Sequence, residues 1–166
     1  MLTTLLPAVI LAATANPAPV QVNLTDLAGI RAAVTAPGAT AVLVTVWATW
    51  CDACREEMPT VLQFFRAHRA SGLRLILVSA DDEDQREQVA SFLKDAGADG
   101  AQAFIKSGGD DDAFISGLDP RWTGAIPASF LYDGQGTKRR FWSGQVTLHE
   151  LEAGLRNANK PPKGKP

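Results

Sequence analysis

Ala41-Val42-Leu43-Val44-Thr45-Val46-Trp47 runs directly into Ala48-Thr49-Trp50-Cys51-Asp52-Ala53-Cys54, and this passage decides how the chain folds. The first seven residues are apolar and largely β-branched, too short a run for an ordinary helix, and read as a buried strand. Beyond the second cysteine, Met58, Val61, Leu62 and Phe65 fall at helical spacing, so a helix should begin close to Cys51. Both cysteines of the chain therefore sit at a strand-to-helix boundary. There Cys51 meets free backbone N–H groups and the positive end of the helix dipole, which favour its thiolate. Cys54 follows one turn later on the same side. The layout is that of a redox dithiol, with Cys51 as the attacking sulfur and Cys54 as the sulfur that resolves a mixed disulfide.

On the N-terminal side, Val20–Leu24 reads as a short strand, and Thr25 or Asp26 can cap a helix whose inner face carries Leu27, Ile30 and Val34. On the C-terminal side, Pro59 removes one hydrogen bond from the dithiol helix, and Ser71-Gly72 stops it. Leu73–Ser79 reads as a second buried strand, and Val89, Phe92, Leu93 and Ala96 as the stripe of a further helix closed by Gly97. A short strand around 103–105 and a short helix around Asp111–Leu118 come next. The loop 119–127 then feeds a strand at 128–132. Asp133-Gly134-Gln135-Gly136 supplies turn chemistry towards 137–142, so these last strands should pair antiparallel and make the sheet mixed. Thr147 and Glu150 fit a capping box for a final helix through Leu151 and Leu155.

The chain has 166 residues, 46% of them apolar, which suits one core and leaves little room for two domains. Sixteen Lys and Arg stand against 18 Asp and Glu, scattered rather than massed, which argues against a nucleic-acid partner. The acidic runs 81–84 and 110–112 precede helices and read as N-terminal helix charges in preference to a cation site. Residues 1–19 lack a charged side chain, and 5–15 are almost wholly apolar before Asn16-Pro17-Ala18-Pro19. This stretch has the look of an export signal cleaved near Ala15, although the Lys or Arg usual at a signal's start is missing. It falls short of the roughly 20 residues a membrane span needs. The expected organisation is a leader over 1–19, one domain over 20–158 and a disordered tail over 159–166.

Successive βα units, a Cys-x-x-Cys at a helix start and a terminal hairpin plus helix resemble the thioredoxin fold. Within it, Val46-Trp47-Ala48-Thr49-Trp50-Cys51-Asp52-Ala53-Cys54-Arg55-Glu56-Glu57-Met58-Pro59 resembles the TlpA-like disulfide reductases, the ResA- and DsbE-related group. Gly124-Ala125-Ile126-Pro127-Ala128-Ser129-Phe130-Leu131-Tyr132-Asp133 is similar to that family's cis-proline segment. The resemblance implies an α/β fold, a thioredoxin-like three-layer α/β/α sandwich around a central mixed sheet. It implies a cis Pro127 against the dithiol, with the Ile126 backbone free to pair with an extended substrate. It also implies protein-disulfide reduction outside the cytoplasm, for example in cytochrome c maturation, with no cofactor. A disulfide-containing protein would be the substrate and a membrane thiol carrier the electron donor. A monomer is expected.

Two departures from the pattern matter. Thr45 stands where thioredoxin keeps a buried acid, so proton transfer from Cys54 needs Glu57, a water or no dedicated base. Asp52 follows the first cysteine. At intermediate dielectric, a carboxylate within roughly 6 Å opposes a thiolate by about 1–3 kcal/mol, which favours reduction of substrates over their oxidation. Glu57 reads either as a proton relay or as an exposed first-turn carboxylate. Trp50 should shield the disulfide, Trp47 should be core, and Trp122 either flanks the substrate or simply packs. Rival readings remain: a structural disulfide, poor because a two-residue loop constrains little; a zinc site, short of ligands; a peroxiredoxin-like thiol peroxidase; and a non-catalytic binding module.

Overall fold

The computed structural model describes residues 20–158; the leader expected over 1–19, its cleavage near Ala15 and the tail over 159–166 lie outside the described residues. Strand β1 (Val22–Thr25) leads into helix α1 (Leu27–Thr35), capped by the Asp26 carboxylate on the Gly29 N–H at 2.9 Å. Strand β2 (Ala41–Trp47) and helix α2 (Asp52–His68) follow, with α2 continuous through Pro59. Gly72 then turns the chain with φ +93°, where a Cβ would stand 2.8 Å from the Thr40 methyl. Next come β3 (Leu73–Ser79), α3 (Arg86–Asp95), β4 (Gln102–Lys106) and α4 (Asp111–Leu118). The hairpin β5 (Ala128–Asp133) and β6 (Lys138–Ser143) precedes the last helix, α5 (Leu148–Ala158).

The strand order is β1-β4-β3-β2-β5-β6. The first four strands run parallel to their neighbours, whereas β2–β5 and β5–β6 are antiparallel. The sheet is mixed, as the hairpin chemistry at 133–136 required: the Asp133 carboxylate takes the Gln135 and Thr137 N–H groups at 3.0 and 2.9 Å. β1 starts two residues later than the sequence suggests and extends through Thr25. Its bounds are set by parallel pairing with β4, from Val22↔Ala103 to Thr25↔Lys106, which no local pattern encodes.

Period-two alternation sorts the side chains of the central strands into two layers. Ala41, Leu43 and Trp47 of β2, with Leu73, Leu75 and Leu77 of β3, face α2, α3 and α5. Val42, Val44 and Val46, with Ile76 and Val78, face α1 and α4. Burial on both faces explains why β2 and β3 read as unbroken apolar runs. It also fixes where the dithiol goes, because the C-terminal end of β2 lies near the middle of the sheet. Leu43→Ala, at a fully buried position, should cost about 2–5 kcal/mol, and Leu24→Ala on the exposed edge strand less than about 1 kcal/mol. Urea denaturation of both variants checks this.

Candidate active site

β2 delivers the chain to the dithiol. Cys51 is still extended, with φ −89° and ψ 105°, and acts as the cap of α2. Its Sγ accepts the Cys54 N–H at 3.2 Å, one of the donors that a helix start leaves free. Cys51 and Cys54 are joined to each other in a disulfide, their Cα atoms 5.2 Å apart. Cys51 is 9% exposed and Cys54 1%, so Cys51 is the less buried of the two.

A second segment meets that sulfur. The Ile126–Pro127 peptide is cis, Pro127 is buried, and the Ile126 carbonyl oxygen lies 3.9 Å from Cys51 Sγ. In the disulfide this is a contact, because the sulfur carries no proton; a Cys51 thiol would have one to donate. Behind it, the Pro127 carbonyl accepts the Gly144 N–H at 2.8 Å, which draws the loop after β6 over the start of α2. From that loop Gln145 Nε2 donates to the Ala53 carbonyl at 3.0 Å, and the Val146 N–H to Glu57 Oε1 at 2.7 Å.

Glu57 is therefore not the exposed carboxylate that one expectation allowed: it is 3% exposed. Burial pushes its pKa from the ordinary 4.5 up to about 7, with the Val146 N–H pulling the other way. The signal was present in the sequence, because position 57 stands three residues after Cys54 and four before Val61 on the buried stripe. Asp52 behaves differently. Its side chain is 89% exposed and 3.5 Å from Arg55 Nη1, so water and the guanidinium screen its effect on a Cys51 thiolate well below the intermediate-dielectric figure.

Thr45, in place of a buried acid, is 1% exposed and shares a 2.9 Å hydrogen bond with Ser129 Oγ, its cross-strand partner on β5. Trp47 is core, tilted against Phe92 with ring centroids 5.0 Å apart. Trp50 is 63% exposed beside Cys51. Trp122 packs, and it also lines the cavity that Ile126 borders. It is buried edge-on against Phe130, and its indole N–H donates to the Ala125 carbonyl at 2.8 Å, bracing the loop that presents Ile126.

Asp81 corrects the view of the first acidic run as helix N-terminal charge. It is 3% exposed, and its carboxylate accepts the Thr49 N–H at 2.9 Å, the Thr49 hydroxyl at 2.6 Å and the Ser79 hydroxyl. The backbone two residues ahead of Cys51 is thereby tied to the end of β3. Asp82 does serve as a cap, in a box with Gln85, and Asp110 caps α4 through the Ala113 N–H at 3.0 Å.

Residues 7–137, more than half of the chain, match the Redoxin family. The chain belongs to the redoxin family. This redoxin is 36% identical over 105 residues to the thiol:disulfide interchange protein DsbE of Escherichia coli K12, covering 63% of this chain and 50% of that protein. It is 28% identical over 133 residues to the thiol-disulfide oxidoreductase ResA of Bacillus anthracis, covering 80% of this chain and 72% of the relative. The redoxin thus spans about half the length of its DsbE relative. Among solved structures, it is similar to a thioredoxin-family thiol:disulfide interchange protein from Chlorobium tepidum TLS. The TM-score is 0.61 at 20% identity, over 89% of this chain and all of that one, and it establishes the thioredoxin-like α/β fold.

Because burial raises the Glu57 pKa, the protonated carboxyl is the form that folding prefers. Its contribution is intact below pH 4.5 and is lost as pH rises through about 7. Glu57→Gln, which keeps an acceptor for the Val146 N–H, should lack this slope. Between pH 5 and pH 8 the unaltered protein should lose about 2.5 kcal/mol relative to the variant, measured by urea denaturation at both pH values. Parallel pH profiles would contradict the raised pKa.

Proposed function

We propose that this redoxin is a thiol-disulfide oxidoreductase that reduces disulfides of protein substrates through Cys51 and Cys54. The observation that carries the reading is the outer sulfur: capped by a helix N–H, less buried than its partner, and set against the carbonyl of Ile126. In the reduced protein the Cys51 thiolate attacks one sulfur of the substrate disulfide. The substrate S–S bond breaks, a mixed disulfide forms, and the departing sulfur takes up a proton. Cys54 then gives its proton to Glu57 or to water and attacks Cys51 Sγ. This closes the Cys51–Cys54 disulfide and releases the second substrate thiol. Two electrons pass to the substrate, so an external dithiol must restore the reduced state.

Glu57 is suited to the proton step by a pKa of about 7, which leaves it part-ionised at neutral pH, and by its place one turn beyond Cys54. Trp50 shields the outer sulfur, and the Ile126 backbone offers an extended substrate a main-chain partner. Asp52 is screened by water and Arg55, but Glu57 is buried one turn beyond Cys54, and its ionised form opposes a stable thiolate, which points to reduction. The apolar leader and the family resemblance favour an extracytoplasmic site of action, with a membrane thiol carrier as donor and cytochrome c maturation as a setting. A peroxiredoxin-like peroxidase fits less well, because the hydroxyls beside the dithiol are committed, Thr45 to Ser129 and Thr49 to Asp81.

Cys54→Ser should accumulate covalent, thiol-reversible adducts with a disulfide-containing protein, while Cys51→Ser should form none and lose reductase activity. Non-reducing gels read both results. Full activity in Cys51→Ser would sink the assignment.

A further inference from the structure

Ile126 has two faces. Its carbonyl touches Cys51 Sγ, and the residue, packed against both core layers, also lines a cavity of about 370 Å³. Val46, Phe114 and Ile115 supply apolar wall, and the exposed carboxylates of Asp82 and Glu83 stand at the rim. The disulfide belongs to the layer of α2, α3 and α5, whereas Val46 and Phe114 belong to the layer of α1 and α4. The cavity and the reactive sulfur therefore lie on opposite sides of the segment along which a substrate would extend.

This juxtaposition decides which substrate residue could reach the cavity. In an extended peptide successive side chains point to opposite faces. When a substrate cysteine turns to Cys51, its immediate neighbour turns to the cavity. The lining is chemically biased as well: Asp81 is committed to Thr49 and Ser79, and three further carboxylates (Asp82, Glu83 and Asp111) stand with one ammonium, that of Lys106. Lys106 itself shows what the wall accepts. Its Nζ pairs with Asp111 and lies 6.0 Å from the centroid of the Phe114 ring. That contact spends one carboxylate and leaves the rim at 82–83 without a cationic partner among the described residues.

We infer that this cavity is a specificity subsite that receives a Lys or Arg side chain adjacent to the substrate cysteine. The aliphatic stem would lie along Ile115 and Ile126 and the cation against Asp82 and Glu83. The inference rests on the reading of the protein as a disulfide reductase and adds a substrate class to it: polypeptides with a basic residue next to the target disulfide.

The test separates the two. Short peptides with Ser in place of the target Cys, flanked by either Lys or Glu, are titrated into the oxidised full chain, where no electron transfer can occur. The Lys peptide should bind about fivefold tighter than the Glu peptide at low salt, and the ratio should fall as salt is raised. Asp82→Asn/Glu83→Gln should bring the ratio towards one, and Glu83→Lys should invert it. Equal binding of both peptides, or a preference that survives the double substitution, overturns the subsite. The disulfide forms of the same peptides, presented to the reduced protein, test the reductase reading. Binding with the predicted preference but no reduction would keep the subsite and remove the reductase; reduction without preference would do the reverse.

Discussion

The structure hangs on one junction: the point where β2 ends and α2 begins, with the sulfur of Cys51 accepting a helix N–H. A strand buried on both faces cannot shift without exposing Leu43 or Val44, so its end is fixed in space. The helix is fixed in turn by Met58, Val61, Leu62 and Phe65 against the same layer. Between them the chain has only Ala48, Thr49 and Trp50 in which to turn. Asp81 holds that turn with two hydrogen bonds accepted from Thr49, is itself held by the Ser79 hydroxyl, and the Ala80 N–H donates to the Trp47 carbonyl at 2.8 Å. The outer sulfur is thus placed by the core rather than by a flexible loop, which suits a group that must meet a substrate in line.

The buried polar groups around the junction differ in how well they are satisfied. Thr45 and Ser129 answer each other, and Asp81 is met by donors on two elements. Glu57 receives one backbone N–H, from Val146. One hydrogen bond does not offset the desolvation of a carboxylate, so the group is pushed towards the neutral form. The incompletely solvated acid is also the one on the same face as Cys54. Structural acids are well paired here, and the acid left under-paired stands next to the chemistry, the pattern expected where a proton must move at neutral pH.

Much of this was legible in the sequence, and the reasons differ by element. β2, β3 and α4 have the bounds read from their patterns, because two-sided burial and an Asp110 cap leave local marks. The capping box at Thr147 and Glu150 was equally local and is present. Asp81 was not legible: it sits in a run of acids resembling any helix start, and its partner Thr49 lies 32 residues away. Glu57 reads from sequence as a candidate proton relay with its burial left open, although its place on the stripe of Cys54 and Val61 already points inward. Asp52 was over-weighted because sequence cannot show that its side chain stands in water.

The redox couple itself is the most direct test of the account. The reduction potential of Cys51–Cys54 can be measured by equilibrating the protein in dithiol redox buffers and counting free thiols. A reversible two-electron couple at or below about −220 mV is what a substrate-reducing dithiol requires. A value near −120 mV would mean a strongly stabilised thiolate and an oxidant, contradicting the role drawn from the buried Glu57.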